Sequence, residues 1–303
     1  MLAPVVRATA EEHPELDITV LSQQRMADLF AHMPANVHFA GVDLKKQSLR
    51  EIVACIGTYD YVADMHGVWR SMYIRMVMRI RGAKVRTIRK GRCEKWLLTH
   101  GLICRSLKHT FERYAEVIGN SIKPLQNPYK TLTNPLSSSR RNGIGIAPFA
   151  AHEGKCYPLE RMEQVVAMLS ERGERVVLFG SKAEADILEN WAKKYQGVES
   201  VAGKKSLGEE LELMQSLRVM ISMDSANMHM ASLVGTRVVS IWGATHPNAG
   251  FLGIGQNESD CIQRDLKCRP CSIYGKRKCK FGDYRCLDIQ PEEIVAKVVL
   301  NKE

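Results

Sequence analysis

Short runs of apolar and β-branched residues alternate with amphipathic segments along most of the chain. Runs of this length, separated by segments with helical spacing, predict βαβ units that build parallel sheets, and therefore an α/β fold. The predicted strands cover residues 17–21, 37–40, 59–64, 84–88, 143–149, 175–179, 218–223 and 238–242.

The clearest predicted helix follows Pro158, because proline suits the first helical position, where no backbone hydrogen bond is needed. Apolar side chains recur on one face from Met162 to Leu169, and Gly173 is placed to end the helix. The pattern therefore predicts a helix that is apolar along one side.

A segment rich in Pro, Asn and Ser separates two arrays of strands and helices. Residues 120–142 show weak periodicity, which is typical of a linker. We predict a first domain over residues 1–125, a linker over 126–142 and a second domain over 143–303, with a Cys-rich loop at 261–286. Two such domains place two sets of strand ends across a cleft, where a two-substrate enzyme would hold its donor and its acceptor.

Composition places the chain among ordinary globular proteins. Its 303 residues are 45% hydrophobic and 25% charged, which is enough to bury the cores of two domains. No window approaches the roughly 18 uncharged apolar residues of a membrane helix, and acidic residues follow the N-terminus too soon for a signal peptide. We therefore expect a cytoplasmic protein whose nine cysteines stay reduced.

The net charge of +10 is concentrated in one stretch. Residues 70–113 contain thirteen Lys and Arg against Glu94 and Glu112, a net charge of +11, so the rest of the chain sums to −1. Such a field attracts an anionic partner: phosphorylated lipid head groups, an acidic saccharide or nucleic acid. A solvated helical face is the plain alternative, but it would normally carry interleaved acids as ion-pair partners.

The segment 219–250 carries the strongest candidate chemistry. It predicts an apolar strand, a carboxylate at the strand's end, and a small-residue turn into a helix. Ligands of parallel sheets bind beyond the carboxyl ends of strands, where the first amides of a helix can hold phosphate. A candidate phosphate and sugar site therefore comprises Asp224, Ser225, Ala226, Asn227 and Met228. Asp224 could instead cap the helix, although Ser225 is available for that role.

Four cysteines lie close together near the C-terminus, with the spacing Cys268-x2-Cys271-x7-Cys279-x6-Cys286. Four thiols can hold Zn²⁺ tetrahedrally, and a loop with few apolar residues would be organised by that metal. The second spacing is looser than in a pair of CxxC knuckles, so unliganded thiols stay an alternative. Disulfides are disfavoured in a reducing compartment. The hypothesis at these four residues is a structural zinc site.

Four motifs together resemble glycosyltransferase family 9, the ADP-heptose:lipopolysaccharide heptosyltransferases. The strongest is DSANMHMA at 224–231, which continues to WGATHP at 242–247. The others are PFAAHEGKCYP at 148–158, FGSKAE at 179–184 and DMHGVWR at 64–70. The resemblance spans nearly the whole chain and implies the GT-B fold, in which two Rossmann-like domains face each other.

The resemblance implies a donor site in the second domain. The family's counterpart of Asp224 contacts sugar hydroxyls while the amides after it hold the diphosphate. Lys155 would neutralise the departing nucleoside diphosphate. Glu184, in the turn that begins with Gly180, would bind the nucleoside or the sugar. The plain alternatives are a solvated loop lysine for Lys155, a helix-dipole partner for Glu184, and a hydrogen-bonded core histidine rather than a catalyst for His229.

The family's first strand and Gly-Asp loop would precede Met1, because the chain begins inside the helix that follows them. The aspartate in that loop is regarded as the family's catalytic base, so the catalytic base of this chain is unknown. We expect that the sequence is truncated at an internal Met, because loss of a central strand would expose two strand edges. An inactive copy and a different base are the alternatives.

The resemblance implies an inverting, metal-independent transferase that moves a sugar, expected to be heptose, from a nucleotide sugar, expected to be ADP-heptose, to a lipopolysaccharide core precursor. The basic first domain would face this anionic acceptor at the cytoplasmic surface of the inner membrane, with His66, Arg70 and Lys90 as acceptor contacts.

Three other functions stay open. A sugar-nucleotide epimerase would share the architecture, and a non-catalytic sugar-nucleotide-binding remnant would fit the missing first strand. A zinc-ribbon nucleic-acid binder is least favoured, because most of the basic charge lies far from the cysteines and aromatic residues make up 7% of the chain. We therefore expect no nucleic-acid partner.

Overall fold

The computed structural model describes residues 1–43, 45–119, 125–127, 129–132 and 141–299. Strands and helices alternate through these ranges, as the hydrophobic pattern predicts. The strands are β1 (Ile18–Gln23), β2 (Val37–Val42), β3 (Tyr61–Asp64), β4 (Lys84–Thr87), β5 (Ile144–Ala147), β6 (Val176–Leu178), β7 (Val198–Ser200), β8 (Val219–Met223), β9 (Arg237–Trp242) and β10 (Cys261–Gln263). The helices are α1 (Leu2–Glu12), α2 (Leu49–Cys55), α3 (Trp69–Ile80), α4 (Arg92–Thr99), α5 (Thr110–Gly119), α6 (Leu159–Glu171), α7 (Ala185–Lys194), α8 (Leu207–Ser216), α9 (Ala226–Leu233) and α10 (Pro291–Val299).

A six-stranded parallel sheet with the order β10-β9-β8-β5-β6-β7 is the largest in the structure. At its centre, Ile144 of β5 lies between Val219 of β8 and Val176 of β6. β5 and β8 are buried along their whole length, as expected for a parallel sheet covered on both faces. The predicted α/β fold class is confirmed. The sequence pattern misses β7 and β10, because three residues are too few to show a period.

The chain divides into two compact units. Unit 1 comprises Met1–Gly91 and Lys108–Leu132, and unit 2 comprises Arg92–Leu107 and Thr133–Glu303. The predicted domain boundaries at 125 and 143 stay a prediction. Of the predicted linker 126–142, residue 128 and residues 133–140 lie outside the described ranges.

Residues 92–107 belong to unit 2 because they pack on its loops. Leu98 and Leu107 are buried against Ala249, and the Leu107 amide donates to the Asn248 carbonyl at 2.7 Å. The sequence analysis assigns this segment to the first domain by its position along the chain. A tertiary contact of this kind leaves no local pattern from which it could be predicted.

The helix predicted after Pro158 is confirmed as α6. Pro158, predicted at the first helical position, is the N-cap, so the helix begins one residue later, at Leu159. The apolar face from Met162 to Leu169 is fully buried in the core of unit 2. Gly173 has φ +71°, a conformation that favours glycine and ends the helix.

Unit 1 contains two separate parallel pairs among its described residues, β1 with β2 and β3 with β4. A small core of unit 1 lies around Val53, Met78 and Ala83, with Ile74 and Val77 of α3 packed against it. The described part of the chain contains no helix with the length and hydropathy of a transmembrane span.

Candidate functional site

A pocket of about 700 Å³ lies in unit 2 beyond the carboxyl ends of β5, β6 and β8. This is the edge of a parallel sheet where ligands bind. The residues that line it come from the loops that follow β5 to β10 and from helices α8 and α9; they are Phe149, Ala150, Ala151, Lys155, Gly180, Ser181, Glu184, Gly203, Glu210, Asp224, Ser225, Ala226, Asn227, His229, Phe251 and Tyr274. Seven of the eight predicted donor residues are thus brought together.

An ion pair between Lys155 and Asp224 lies in this pocket. Asp224 follows β8 directly, and Lys155 ends the short turn 153–155 that follows β5. The Lys155 Nζ is 2.8 Å from the Asp224 Oδ2, and the two side chains are 14% and 5% exposed. Within the described part of the chain, this oxygen has no hydrogen-bond donor other than the lysine. A ligand hydroxyl could therefore supply a second partner to a carboxylate that is already held in place.

The N-terminus of α9 has no side-chain cap. The Ser225 hydroxyl lies 3.1 Å from the Ser222 hydroxyl instead of the helix amides. Within the ranges that the structure describes, no side chain accepts from the amides of Ala226, Asn227 or Met228, and the helix dipole adds positive potential there. The Met228 side chain is fully buried and does not line the pocket, so any ligand contact at this position is made by its backbone.

The turn after β6 also lines the pocket, through Gly180, Ser181 and Glu184. The Glu184 Oε2 accepts a hydrogen bond from the Ser181 amide at 2.6 Å, so one of its oxygens serves as a helix cap. Gly180 has no room for a side chain, because a Cβ atom would lie 2.7 Å from Leu188 Cδ1. A side chain at this position would therefore press on the buried Leu188 and displace the turn.

Two aromatic rings that the sequence analysis did not select also line the pocket. The ring centroids of Phe251 and Tyr274 are 5.7 Å apart, and the Lys95 Nζ lies 4.7 Å from the Phe251 centroid. Such rings offer a stacking surface for a nucleobase. The sequence gives no signal for this pair, because the residues belong to two loops whose pairing depends on the tertiary fold.

The loop that carries Phe251 is anchored by His246. Burial lowers the pKa of His246 to about 4, so its ring is neutral near pH 7, and its Nδ1 accepts a hydrogen bond from the Asn248 amide at 3.0 Å. His229, for which the sequence favours a hydrogen-bonded core position, is half-buried and lines the pocket.

The Cys-rich loop packs on the turn that carries Lys155. A Cβ atom on Gly275 would lie 2.7 Å from the Lys155 Cγ, which shows how closely the loop covers the lysine stem. The Tyr284 hydroxyl donates to the Glu153 Oε2 at 3.1 Å. The loop therefore fixes one side of the 153–155 turn.

The four predicted metal ligands are free thiols in this loop. Burial raises the pKa of Cys286 to about 11, although the nearby Arg269 guanidinium opposes this shift. The backbone amides of residues 281–284 lower the pKa of Cys279. Among the described residues, no group of three or more His, Cys, Asp or Glu side chains is arranged to hold a metal ion.

The predicted acceptor residues follow β3 and β4 in unit 1. Asp64, the last residue of β3, is buried and accepts hydrogen bonds from the His66 and Gly67 amides at 2.8 and 2.9 Å. Its Oδ2 accepts from the Ser71 hydroxyl and lies 3.1 Å from the Arg75 Nε. Asp64, which the sequence analysis quotes only as part of a motif, therefore fixes the loop that carries His66.

His66 and Lys90 lie on adjacent loops. A Cβ atom on Gly67 would be 3.5 Å from the Lys90 Cε. Arg70 is exposed at the start of α3, with its guanidinium 5.4 Å from the Trp69 ring centroid. The three side chains thus belong to one end of the β3–β4 pair.

The known proteins that this chain resembles include heptosyltransferases. A family model described as glycosyltransferase family 9 (heptosyltransferase) matches residues 50–284. Lipopolysaccharide heptosyltransferase 3 of Escherichia coli is 23% identical over 275 residues, which cover 81% of this chain and 80% of that protein. These relatives are glycosyltransferases and give no support to an epimerase or a nucleic-acid binder.

Two solved structures have the same fold. The ADP-heptose lipopolysaccharide heptosyltransferase II of E. coli has a TM-score of 0.65 and 18% identity, and the match covers 98% of this chain and 92% of that one. The glycosyltransferase family 9 protein of Veillonella parvula has a TM-score of 0.69 and 18% identity over 97% and 91% of the two chains. The expected GT-B type of α/β fold is thereby confirmed.

Proposed function

The chain belongs to glycosyltransferase family 9, and from this premise we propose that it transfers a heptose from ADP-heptose to a lipopolysaccharide core acceptor with inversion at the sugar. The names of the relatives support the lipopolysaccharide acceptor, and the heptosyltransferase II named above supports ADP-heptose as donor. The pocket of unit 2 is the proposed donor site.

The ion pair of Lys155 and Asp224 beside the uncapped start of α9 is the observation that carries this proposal. The donor diphosphate would be held by the first amides of α9 and by the Lys155 ammonium. A sugar hydroxyl would donate to the Asp224 Oδ2. As the bond to the sugar breaks, negative charge grows on the diphosphate, and a cation that is already in place stabilises it without reorganisation.

In this proposal the Lys155 ammonium neutralises the negative charge of the departing diphosphate. We therefore propose that the transfer step needs no metal ion. No residue of this chain is assigned as the general base. The basic end of unit 1, with His66, Arg70 and Lys90, is the proposed contact for the anionic acceptor at the cytoplasmic face of the inner membrane.

Calorimetric titration with ADP-heptose tests the donor site. The wild type is expected to bind, and Asp224→Ala is expected to weaken binding about 10- to 100-fold, because a hydrogen bond to a charged group contributes about 1.5–3 kcal/mol. The matched control is Asp186→Ala, which removes an exposed carboxylate of α7 in the same unit. Equal affinity of Asp224→Ala and wild type would contradict the assignment.

Transfer to a lipopolysaccharide core acceptor is measured separately from binding. A chain that binds ADP-heptose and transfers no sugar would be the non-catalytic binder that the sequence analysis leaves open. A chain that does neither would refute the proposed function.

We also propose that Cys268, Cys271, Cys279 and Cys286 hold a structural metal ion, with zinc as the expected metal. Four free thiols within one short loop form a donor set of the kind that suits Zn²⁺. The described thiols do not already form a closed site, so the loop would have to tighten around the ion. The metal would support the loop that covers Lys155 and would take no part in the transfer.

Metal analysis of freshly purified protein tests this site. About one zinc per chain is expected in the wild type and none in the Cys268→Ser/Cys271→Ser variant. Because Gly275 covers the Lys155 stem, the variant is also expected to lose about tenfold in donor affinity. The control is Cys55→Ser/Cys104→Ser, which changes two exposed thiols elsewhere. Wild-type protein without any metal would argue against the site.

A further inference from the structure

Helix α3 in unit 1 exposes a row of large apolar side chains. Trp69, Met72, Met76 and Ile80 are 69%, 59%, 52% and 79% exposed. At about 100° per residue they occupy one arc of about 80° along the helix. We call these four residues the α3 stripe.

The α3 stripe is a second apolar face of a helix that already has a buried one. The other side of α3 carries Ile74, Val77 and Met78, which pack into the small core of unit 1. The burial of α3 against its unit therefore does not explain the stripe. A row of four large apolar side chains that are exposed to solvent is typical of a surface that binds a protein or a membrane.

The surroundings of the stripe are strongly basic. On the helical wheel, Arg70 and Arg79 stand on the two sides of the arc, and both are exposed. Residues 65–93 contain no Asp or Glu and nine Lys or Arg. An amphipathic helix with an apolar face containing Trp, flanked by Arg, has the composition of helices that lie in the interface of an anionic bilayer.

We propose that α3 docks on an anionic membrane, with the α3 stripe inserted among the lipid head groups and Arg70 and Arg79 paired with lipid phosphates. The inference extends the proposed function, because the acceptor proposed above lies at a membrane surface. A second copy of the chain is the less favoured occupant. A symmetric contact through this face would bring the same uncompensated positive charges together.

Vesicle co-sedimentation tests the docking without sugar nucleotide or lipopolysaccharide, so its result does not depend on the proposed function. Wild-type protein is expected to bind vesicles of phosphatidylglycerol and phosphatidylcholine, to bind pure phosphatidylcholine weakly, and to dissociate as salt is raised. Trp69→Ser/Ile80→Ser is expected to reduce the binding about tenfold or more. Leu102→Ser/Ile187→Ser, which removes two exposed apolar side chains from unit 2, is the matched control and should bind like wild type.

Tryptophan fluorescence tests whether the stripe itself inserts. All four tryptophans lie in described residues, and Trp191 and Trp242 are buried. In Trp96→Phe, Trp69 is therefore the remaining exposed tryptophan, and its emission is expected to shift to the blue and to be quenched by brominated lipids. Trp69→Phe should lose this response and keep its thermal melting temperature.

Three results would overturn the proposal: no binding of the wild type to anionic vesicles, equal loss in the stripe variant and the control variant, or unquenched Trp69 on vesicles. A stripe variant that turns a wild-type dimer into a monomer, with no change in vesicle binding, would identify a second copy as the occupant. Calorimetry of the stripe variant with ADP-heptose should give wild-type affinity, which separates this proposal from the donor site.

Discussion

Replacing Lys155 by alanine is expected to slow transfer about 100-fold or more, because the charge that would meet the leaving diphosphate is removed. The same change leaves the Asp224 carboxylate, 5% exposed, without its ion-pair partner. An unpaired buried charge costs about 3–5 kcal/mol, so the free energy of unfolding should fall as well. Release of ADP measures the rate, and urea unfolding measures the stability.

The double variant Lys155→Ala/Asp224→Asn separates the two effects. A neutral amide at 224 needs no counter-charge, so most of the lost stability should return, while transfer stays slow. Lys194→Ala is the matched control, since it breaks an ion pair with Glu163 whose lysine is 62% exposed. That change is expected to cost under about 1 kcal/mol and to leave the rate unchanged. If Lys155→Ala alone kept its rate within about threefold of wild type, Lys155 would have no catalytic role.

Replacing Gly243 by alanine is expected to destabilise unit 2 by about 1–3 kcal/mol and to weaken donor binding together with it. Gly243 follows β9, and a Cβ atom there would lie 2.5 Å from the Gly154 carbonyl oxygen and 2.8 Å from Leu287 Cδ2. Because one of these neighbours is backbone, the 153–155 turn has to move, and it carries Lys155. Urea unfolding and calorimetry with ADP-heptose measure the two effects.

Gly57→Ala provides the comparison for this substitution. A Cβ atom at Gly57 would meet nothing within 4 Å, and its φ is not in the left-handed region. Stability and donor affinity should both stay at wild-type values there. Unchanged donor affinity in a destabilised Gly243→Ala protein would show that the position of the turn does not matter for binding.

The sequence predicts the parallel α/β architecture because its strands are continuous apolar runs with clear ends. β8 and β9 illustrate this, since each is buried almost throughout and each is followed by small residues. β7 and β10 are not predicted from the sequence, because an apolar run of three residues is too short to be recognised as a strand. Hydrophobic patterning thus predicts the central strands of the sheet and misses its two edge strands.

The candidate site could be predicted in parts but not as an assembly. Asp224 and Lys155 are each marked by a motif at a strand end, yet their 2.8 Å contact depends on β5 and β8 being neighbours in the sheet. Phe251 and Tyr274 carry no motif, and their rings meet only in the folded loops. Ser225 looks like a helix cap in the sequence, but its hydroxyl lies beside Ser222.

The central place of β5 has a consequence for how this protein acquires its pocket during synthesis. β5 is followed by helix α6 and then by its neighbour β6. Its other neighbour, β8, lies much further along the chain. Contacts between segments that are distant in sequence form slowly, because the entropy of closing a long loop is lost before the contacts stabilise the chain. The proposed donor pocket can therefore form only after β8 and the start of α9 have been synthesised, and until then β5 lacks one of its two neighbouring strands.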